Sequence, residues 1–201
     1  MRLAIADPPY YGRANRYYGF GSGGGGGNRK VYKPDYHPEA YIWDTKEAHY
    51  KLVEQLNESY DSWVIAMSSH NLDIYLQHLE IGSRTNYRVC AWIKPSSVPS
   101  GSRIRNGWEP VLLKLADSRK SRNQGIRTVD YLIANPLRSG FLGAKPFAWT
   151  HWVLDLMGYE IGDQVDDLFN GSGAVNKAIQ QYEREQNGTT ERKEHKGLSE
   201  E

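Results

Sequence analysis

The chain has 201 residues, with 25 basic side chains against 24 acidic ones and 39% apolar residues. This length supports one domain with a sizeable core, and the composition excludes collagen, a disulfide scaffold and a wholly disordered chain. The single cysteine, Cys90, cannot form an internal disulfide, which favours a reducing compartment. No apolar run reaches the ~20 residues that cross a bilayer, and Asp7 comes too early for a signal peptide, so we expect a soluble cytoplasmic protein.

Along the chain, apolar runs and helical periodicity predict alternating strands and helices. Apolar runs that end at proline, glycine or polar breaks predict strands, and apolar residues at helical spacing predict helices. In chain order, the predicted elements are strand 3–6, helix 46–60, strand 63–67, helix 72–79, strands 89–93 and 111–115, helix 147–157, strand 165–169 and helix 174–185. The polar flanks of 111–115 indicate an antiparallel edge strand. This alternation predicts an α/β fold with a mainly parallel sheet covered on both faces.

Residues 1–185 are predicted to form one domain that carries two unusual loop regions. Residues 19–28 are rich in glycine, which is typical of a flexible loop. The second region, residues 94–127, is basic: between Arg84 and Arg127 there are ten basic residues and two acidic ones. This excess predicts a surface that faces a polyanion, with an Arg-rich solvated loop as the alternative. Residues 186–201 are charged and poor in large apolar groups, so we expect a disordered tail.

The first candidate site lies where strand 3–6 ends, at Asp7-Pro8-Pro9-Tyr10. Ligands of doubly wound sheets bind at the carboxyl ends of strands. Neither proline has an amide N–H, so the turn is stiff and offers carbonyl and carboxylate acceptors beside an aromatic ring. These groups suit a planar ring with an exocyclic amine, because the acceptors bind its N–H groups while the aromatic side chain stacks on it. The alternative is a proline-rich strand end without a ligand.

The second candidate site follows strand 165–169, at Asn170-Gly171-Ser172-Gly173. Gly171 and Gly173 permit a tight turn and the close approach of a bulky ligand. The helix predicted from residue 174 directs free N–H groups at that ligand, and Asp167 and Ser172 add polar contacts for an amino or carboxylate group. The alternative is an ordinary turn between a strand and a helix.

Together the two sites resemble the amino-group methyltransferases of nucleic acids, which use S-adenosylmethionine. That family carries an Asp/Asn/Ser-Pro-Pro-aromatic motif in its catalytic loop, matched by residues 7–10, and an Asp-x-Phe-x-Gly-Ser-Gly motif in its cofactor loop, matched by residues 167–173. A Lys-Pro pair before the cofactor loop is matched by Lys145-Pro146, and residues 108–112 resemble a late strand of several relatives. The order of the motifs, catalytic before cofactor, resembles the permuted subgroup of the family.

The resemblance implies transfer of a methyl group from S-adenosylmethionine to the exocyclic amine of a flipped base in DNA. The expected position is N6 of adenine, with N4 of cytosine as the alternative. Catalysis is assigned by resemblance to Asp7, Pro8, Pro9 and Tyr10. Cofactor binding is assigned to Asp167, Phe169, Gly171, Ser172, Gly173 and Lys145. The basic region would supply phosphate contacts from Lys94, Arg103, Arg105, Arg119, Lys120 and Arg122.

The implied fold is a Rossmann-like methyltransferase sandwich of three layers, circularly permuted. Relatives continue beyond the cofactor loop with further strands, the first of which ends in an acid that binds the adenosine ribose. Here the helix from Ala174 leads into the charged tail, so we expect a C-terminally shortened sheet of about five strands. The exposed edge would suit a homodimer in which a second copy covers it. Short forms of this kind fit a bacterial or phage protein.

Two other kinds of function remain open from the sequence. The same chemistry would act on RNA or on a protein glutamine, because such enzymes share the Pro-Pro-aromatic loop. A non-enzymatic remnant that binds nucleic acid without the cofactor is the other alternative, motivated by the short C-terminal part. No metal is expected, since the six histidines lack metal-ligand spacing and one cysteine excludes a Cys-rich zinc site.

Overall fold

A computed structural model describes residues 1–19, 39–79, 86–96, 104–121, 127–137 and 144–197 of the chain. The strands are Arg2–Ala6 (β1), Ser62–Ala66 (β2), Tyr87–Ile93 (β3), Trp108–Lys114 (β4), Tyr131–Ile133 (β5) and Gln164–Asp167 (β6). The helices are Ala14–Tyr18 (α1), Lys46–Ser59 (α2), Leu72–His78 (α3), Phe147–Met157 (α4) and Ala174–Gly197 (α5). The glycine-rich loop predicted at residues 19–28 lies outside the described residues after Gly19.

The strands form one sheet in the order β5-β3-β4-β2-β1-β6. Strand β1 pairs in parallel with β2 on one side and with β6 on the other. Strand β4 is antiparallel to both of its neighbours, β2 and β3, while β5 is parallel to β3. All strands except β4 therefore run in one direction, and their carboxyl ends share one edge of the sheet.

Apolar side chains on the two faces of the sheet pack against different helices. One face buries Leu3 and Ile5 of β1 against α4 and α5, with Trp149 fully buried between them. The other face buries Ala4 and Ala6 against α2 and α3. This alternation along β1 is the period of two that a strand requires, and it gives three layers with the sheet in the middle.

Strand β4 is antiparallel as predicted, but its predicted edge position is wrong. It lies inside the sheet between β2 and β3, and its Val111, Leu112 and Leu113 are at most 4% exposed. The strand begins three residues earlier than predicted, and its charged residues Glu109 and Lys114 lie near its two ends. The edges of the sheet are β5 and β6. Strand β5 was not predicted because three residues carry too little periodicity.

The helices α2, α3 and α4 match their predicted positions within one residue. Thr45 accepts a hydrogen bond from the Ala48 amide at 3.4 Å and caps α2, and Gly158, with φ of 68°, ends α4 in the left-handed conformation. Helix α5 differs, because it continues to Gly197 through the segment predicted to be a disordered tail. Residues 191–196 of that segment include two Glu, two Lys and one Arg, which favour helix. No helix in the described ranges combines the length and apolarity needed to cross a membrane.

The interior position of β4 leads to a stability prediction. Replacing Leu112 with alanine is expected to lower the free energy of unfolding by about 2–5 kcal/mol, because its side chain is fully buried in the sheet. Ile133→Ala in the edge strand β5 is the matched control, since Ile133 is 60% exposed and should cost below about 1 kcal/mol. Urea unfolding of both variants measures the difference, and equal losses would contradict the observed strand order.

Candidate active site

The two predicted loops lie side by side at the carboxyl edge of the sheet. Ile5 of β1 stands opposite Asp167 of β6 in the parallel register, and the Leu168 amide donates to the Ile5 carbonyl at 3.0 Å. The turn that starts at Asp7 and the loop that follows Asp167 therefore leave the sheet at the same point. The two candidate sites predicted from the sequence therefore adjoin each other.

The chain leaves these two strands towards opposite faces of the sheet. After β1 it leads to α2, which packs on one face, whereas after β6 it leads to α5, which packs on the other. A crevice opens between neighbouring strands whose connections diverge in this way, and it is the usual ligand position in open α/β sheets. Asp7 and the 170–173 loop flank that crevice.

Asp7 is held by a buried lysine. The Lys145 ammonium lies 3.0 Å from Asp7 Oδ1 and 2.9 Å from Oδ2, and Lys145 itself is only 3% exposed. Both oxygens of Asp7 thus contact the lysine, while the Asp7 side chain as a whole keeps 24% exposure. Pro8 behind it is buried, which fixes the backbone of the turn.

Glu109, Tyr10 and Lys94 join Asp7 and Lys145 in what we call the charged cluster. Glu109, at the start of β4, lies 3.5 Å from the Lys145 ammonium and accepts a hydrogen bond from the Tyr10 hydroxyl at 3.2 Å. Lys94, directly after β3, donates to the other Glu109 oxygen at 2.6 Å. The rings of Tyr10, Trp92 and Trp149 surround the Lys145 ammonium at 5.5 to 5.9 Å. A cation in such an aromatic cage remains charged despite its burial.

Burial and charge pairing shift the pKa values of Asp7, Tyr10, Glu109 and Lys145 in this cluster. Burial raises the pKa of Asp7, and the Lys145 ammonium opposes part of that rise. Burial would lower the pKa of Lys145 and raise that of Glu109, but the opposite charges around them outweigh it, so the Lys145 pKa is raised and the Glu109 pKa is lowered. Burial and the two carboxylates raise the Tyr10 pKa well above its ordinary value. Burial therefore favours the protonated form of Asp7, whereas the two ammonium groups around Glu109 favour its charged form.

The loop after β6 is a tight, exposed turn with two glycines of positive φ. Gly171 and Gly173 have φ of 24° and 70°, and the Gly173 amide donates to the Asn170 carbonyl at 2.6 Å to close a tight turn. The Ser172 hydroxyl accepts from the Ala174 amide at 3.3 Å at the start of α5. Asn170, Gly171 and Ser172 are exposed, so this loop is open to solvent.

Asp167, at the base of that loop, has an unsatisfied oxygen. Its Oδ1 accepts from the Phe169 amide at 3.3 Å, whereas its Oδ2 is buried without a hydrogen-bond partner. Burial raises the pKa of Asp167, and the nearby Asp7 carboxylate adds to the rise. A buried acceptor of this kind is costly unless a donor completes it.

Phe169 packs into a cluster of aromatic rings on the α2 side of the crevice. Its ring meets Trp43 edge-on at 5.0 Å, and Trp43 in turn meets His49 of α2 at 5.4 Å. His49 Nδ1 lies 2.7 Å from the Tyr75 hydroxyl, and Nε2 lies 2.9 Å from the Trp43 carbonyl. Burial lowers the pKa of His49, so its imidazole is neutral and serves as a hydrogen-bonding link between α2 and α3. This cluster packs the residue before the 170–173 loop against the α2 side of the sheet.

The predicted phosphate-contacting residues that the structure describes do not form one surface around the site. Arg105 is exposed near the start of β4 at the carboxyl edge, but the Lys94 ammonium is engaged with Glu109. Arg119 is 10% exposed and binds both oxygens of Asp163 at the opposite edge of the sheet, where Lys120 contacts Asp117 at 2.7 Å. Arg103 and Arg122 lie outside the described residues. The structure thus separates Arg119 and Lys120 from the crevice and places Lys94 inside the charged cluster.

The resemblance assigned Lys145 to cofactor binding. In the structure its ammonium contacts Asp7, Tyr10 and Glu109 at the turn after β1. The roles of Glu109 and Lys94 were not predicted. One signal in the sequence points to Glu109, because it is one of two acidic residues in the basic stretch and is followed directly by a proline and a buried strand.

A polar groove of about 430 Å³ lies at the opposite edge, lined by Arg2, Tyr60, Asp61, Lys114 and Asp117 among others. Two of its lining residues share one carboxylate, because Arg2 contacts Asp166 at 3.2 Å and the Tyr60 hydroxyl donates to the same group at 3.0 Å. None of the predicted catalytic or cofactor residues lines it. Within the described part of the chain, no group of three His, Cys, Asp or Glu side chains is arranged to hold a metal ion.

No protein-family model matches the chain, and no curated protein matches its sequence. Solved structures match its fold. The crystal structure of the M1.HpyAVI–SAM complex aligns with a TM-score of 0.53 at 17% identity, covering 90% of this chain and 78% of that one. A crystal structure of M1.HpyAVI aligns with a TM-score of 0.52 at 14% identity, covering 91% and 76%. The chain therefore has the mainly parallel, Rossmann-like α/β fold that the sequence predicted, shared with a protein crystallised with S-adenosylmethionine (SAM).

Proposed function

We propose that the protein transfers a methyl group from S-adenosylmethionine to the exocyclic amine of a flipped base in DNA, at N6 of adenine. The observation that carries this proposal is the placement of Asp7 beside the 170–173 loop at adjacent strand ends. One loop supplies acceptors for an amine, and the other supplies a cradle for a large ligand. The fold shared with M1.HpyAVI, whose crystal structure includes SAM, and the motif order of the permuted subgroup support it.

The residues after β6 fit the cofactor. The unsatisfied Oδ2 of Asp167 is a buried acceptor for the amino group of its methionine part, and the positive φ of Gly171 and Gly173 leaves the backbone open to close approach. The first amides of α5, with Ser172, lie at a helix N-terminus, which attracts a carboxylate. When bound, S-adenosylmethionine supplies a methyl group whose bond to sulfur breaks as the bond to nitrogen forms, leaving a neutral thioether.

Asp7 and Pro8 prepare the amine for this reaction. The exocyclic nitrogen of adenine is a weak nucleophile because its lone pair is delocalised into the ring. Hydrogen bonds from the amine to the Asp7 carboxylate and the Pro8 carbonyl favour a pyramidal nitrogen and stabilise the positive charge that appears on it. The raised pKa of Asp7 also suits it to accept the proton that the amine releases. No covalent enzyme intermediate is required.

Tyr10 and Arg105 provide contacts for the flipped base and its strand. Extrusion of a base costs a few kcal/mol, and stacking on the Tyr10 ring offsets part of this. The Tyr10 hydroxyl is fixed by Glu109 and lies 3.4 Å from the Lys145 ammonium, so the ring is held beside Asp7. Arg105, exposed at the same edge, is placed for a phosphate contact, and Arg103 and Arg122 remain proposed phosphate contacts.

A substrate panel with labelled S-adenosylmethionine tests this function. We expect label in unmethylated duplex DNA and no more than about a tenth as much in RNA, because the proposed substrate is a base flipped out of duplex DNA. Nucleoside analysis of the product is expected to yield N6-methyladenine. Label only in N4-methylcytosine would show that cytosine is the target base. Label only in RNA or in a protein glutamine would show that DNA is not the substrate. Saturable DNA binding without any transfer would identify a non-enzymatic remnant.

A further inference from the structure

Glu109 divides its two carboxylate oxygens among three partners in the charged cluster. Oε1 accepts from Lys94 at 2.6 Å, and Oε2 faces both the Tyr10 hydroxyl at 3.2 Å and the Lys145 ammonium at 3.5 Å. The partners come from three separate parts of the chain, and Glu109 is the group common to all of them. Its own position is fixed because it belongs to the interior strand β4 and precedes Pro110.

We propose that Glu109 is a positioning residue for methyl transfer: it holds the Tyr10 ring beside the base and shares Lys145 with Asp7. This inference rests on the proposed function and extends it to a residue outside the catalytic motif. Glu109 itself does not touch the reacting atoms. It acts through Tyr10, whose ring stacks on the base, and through Lys145, which binds Asp7.

Because Lys145 is shared between Asp7 and Glu109, it affects how strongly Asp7 accepts a hydrogen bond or a proton. Lys145 is 3% exposed and lies almost equally far from the two Asp7 oxygens, at 3.0 and 2.9 Å. A buried ammonium with Asp7 as its sole partner would neutralise that carboxylate strongly and weaken it as an acceptor for the amine. A second carboxylate on the same ammonium divides the attraction. Asp7 then stays oriented by Lys145 while accepting a hydrogen bond or a proton more strongly than it would as the sole carboxylate on that ammonium.

The hydrogen bond to Tyr10 sets the position of the stacking ring. Tyr10 lies in a turn rather than in a helix or strand, so the hydroxyl contacts with Glu109 and Lys145 limit its ring to one orientation. A base stacked on this ring is thereby aligned with Asp7. Alignment of the reacting groups is worth large factors in rate, so a loosened ring should lower kcat more than binding.

A purely structural role would have a different signature. If Glu109 only stabilised the fold, its loss would lower the free energy of unfolding, because a buried charge would lose its partner. The pH dependence of kcat would then stay unchanged. Positioning of Asp7 makes a specific prediction instead. Removing the negative charge of Glu109 leaves Asp7 as the sole carboxylate on Lys145, so the pKa of Asp7 falls and the acid limb of the kcat profile moves to lower pH.

The test compares Glu109→Gln with Glu160→Gln in the full chain. Glutamine keeps the shape of Glu109 but removes its charge, and Glu160 is an ion-paired partner of Arg119 at the opposite edge. For Glu109→Gln we expect a kcat about 10- to 100-fold lower, an unchanged Kd for S-adenosylmethionine and an acid limb shifted to lower pH. Glu160→Gln should retain the wild-type kcat and pH profile. A Glu109→Gln enzyme with wild-type kcat and acid limb would overturn the proposal.

A second variant and a second measurement keep the result decisive. Tyr10→Phe removes only the hydroxyl bound to Glu109 and is expected to lower kcat by about threefold to tenfold, the worth of one hydrogen bond. If Glu109→Gln does not fold, a wild-type kcat in Tyr10→Phe overturns the proposal. Titration of the Asp7 carboxyl, followed by carbon-13 NMR, does not depend on turnover. If the wild type methylates nothing, the proposed function fails, but a lower Asp7 pKa in Glu109→Gln would still support the sharing of Lys145. An unchanged Asp7 pKa would refute it.

Discussion

Replacing Asp7 with alanine is expected to lower methyl transfer by at least about a thousandfold while the Kd for S-adenosylmethionine stays within about twofold. The variant removes the carboxylate that accepts the amine, so the nitrogen loses both its orientation and its stabilising charge. The cofactor residues belong to the neighbouring strand and its loop, and they keep their own hydrogen bonds. Single-turnover rates measure the first effect, and calorimetric titration measures the second.

The control for this variant is Asp117→Ala. Asp117 is also a carboxylate paired with a lysine, but it is 84% exposed and lies at the opposite edge of the sheet. It should leave both rate and affinity at wild-type values. An Asp7→Ala protein that loses cofactor affinity as strongly as activity would show that Asp7 belongs to the cofactor site, and one that remains active would remove Asp7 from catalysis.

Introducing aspartate at Gly173 is expected to weaken binding of S-adenosylmethionine by at least about a hundredfold. Gly173 has φ of 70°, which strains any residue with a side chain, and it lies at the turn that closes on Asn170. The added carboxylate would also repel the carboxylate of the ligand and compete for the free amides at the start of α5. Calorimetric titration of the purified variant measures the loss.

Gly162→Asp is the matched control, because it adds the same charge at another glycine with positive φ. Gly162 has φ of 97° and open space around its Cα, and it lies before β6 at the other edge of the sheet. Both variants should lose a similar amount of unfolding free energy from backbone strain. Affinity should fall in Gly173→Asp alone, and an equal fall in both would attribute the effect to stability rather than to the loop.

The adjacency of the two loops could be predicted from the sequence because it depends on local features. Residues 3–6 and 165–167 end in polar turns, and the carboxyl ends of parallel strands meet at one edge. Asp7 and Gly173 were therefore identifiable as members of one candidate site. The predicted α/β class follows from the same alternation and is confirmed by the sheet and by the shared fold.

The charged cluster could not be predicted because it depends on long-range packing. Glu109, Lys94 and Lys145 come from three segments whose spacing carries no common pattern, and only the interior position of β4 brings them together. The same feature explains the wrong edge assignment, since in the sequence a charged glutamate at the end of a buried strand cannot be told from a solvent-exposed flank. Arg119 shows the converse, because its charge is used to bind Asp163 rather than a phosphate.

The most direct test of the account is a crystal structure of the protein with S-adenosylhomocysteine and adenosine together. We predict that both ligands occupy the crevice between β1 and β6, with the sulfur against the 170–173 loop and the N6 amine within hydrogen-bond distance of Asp7 and the Pro8 carbonyl. The sulfur should face the amine nitrogen without a protein atom between them. Either ligand bound instead in the groove beside Arg2 and Tyr60, or the two bound at separate edges of the sheet, would contradict the account.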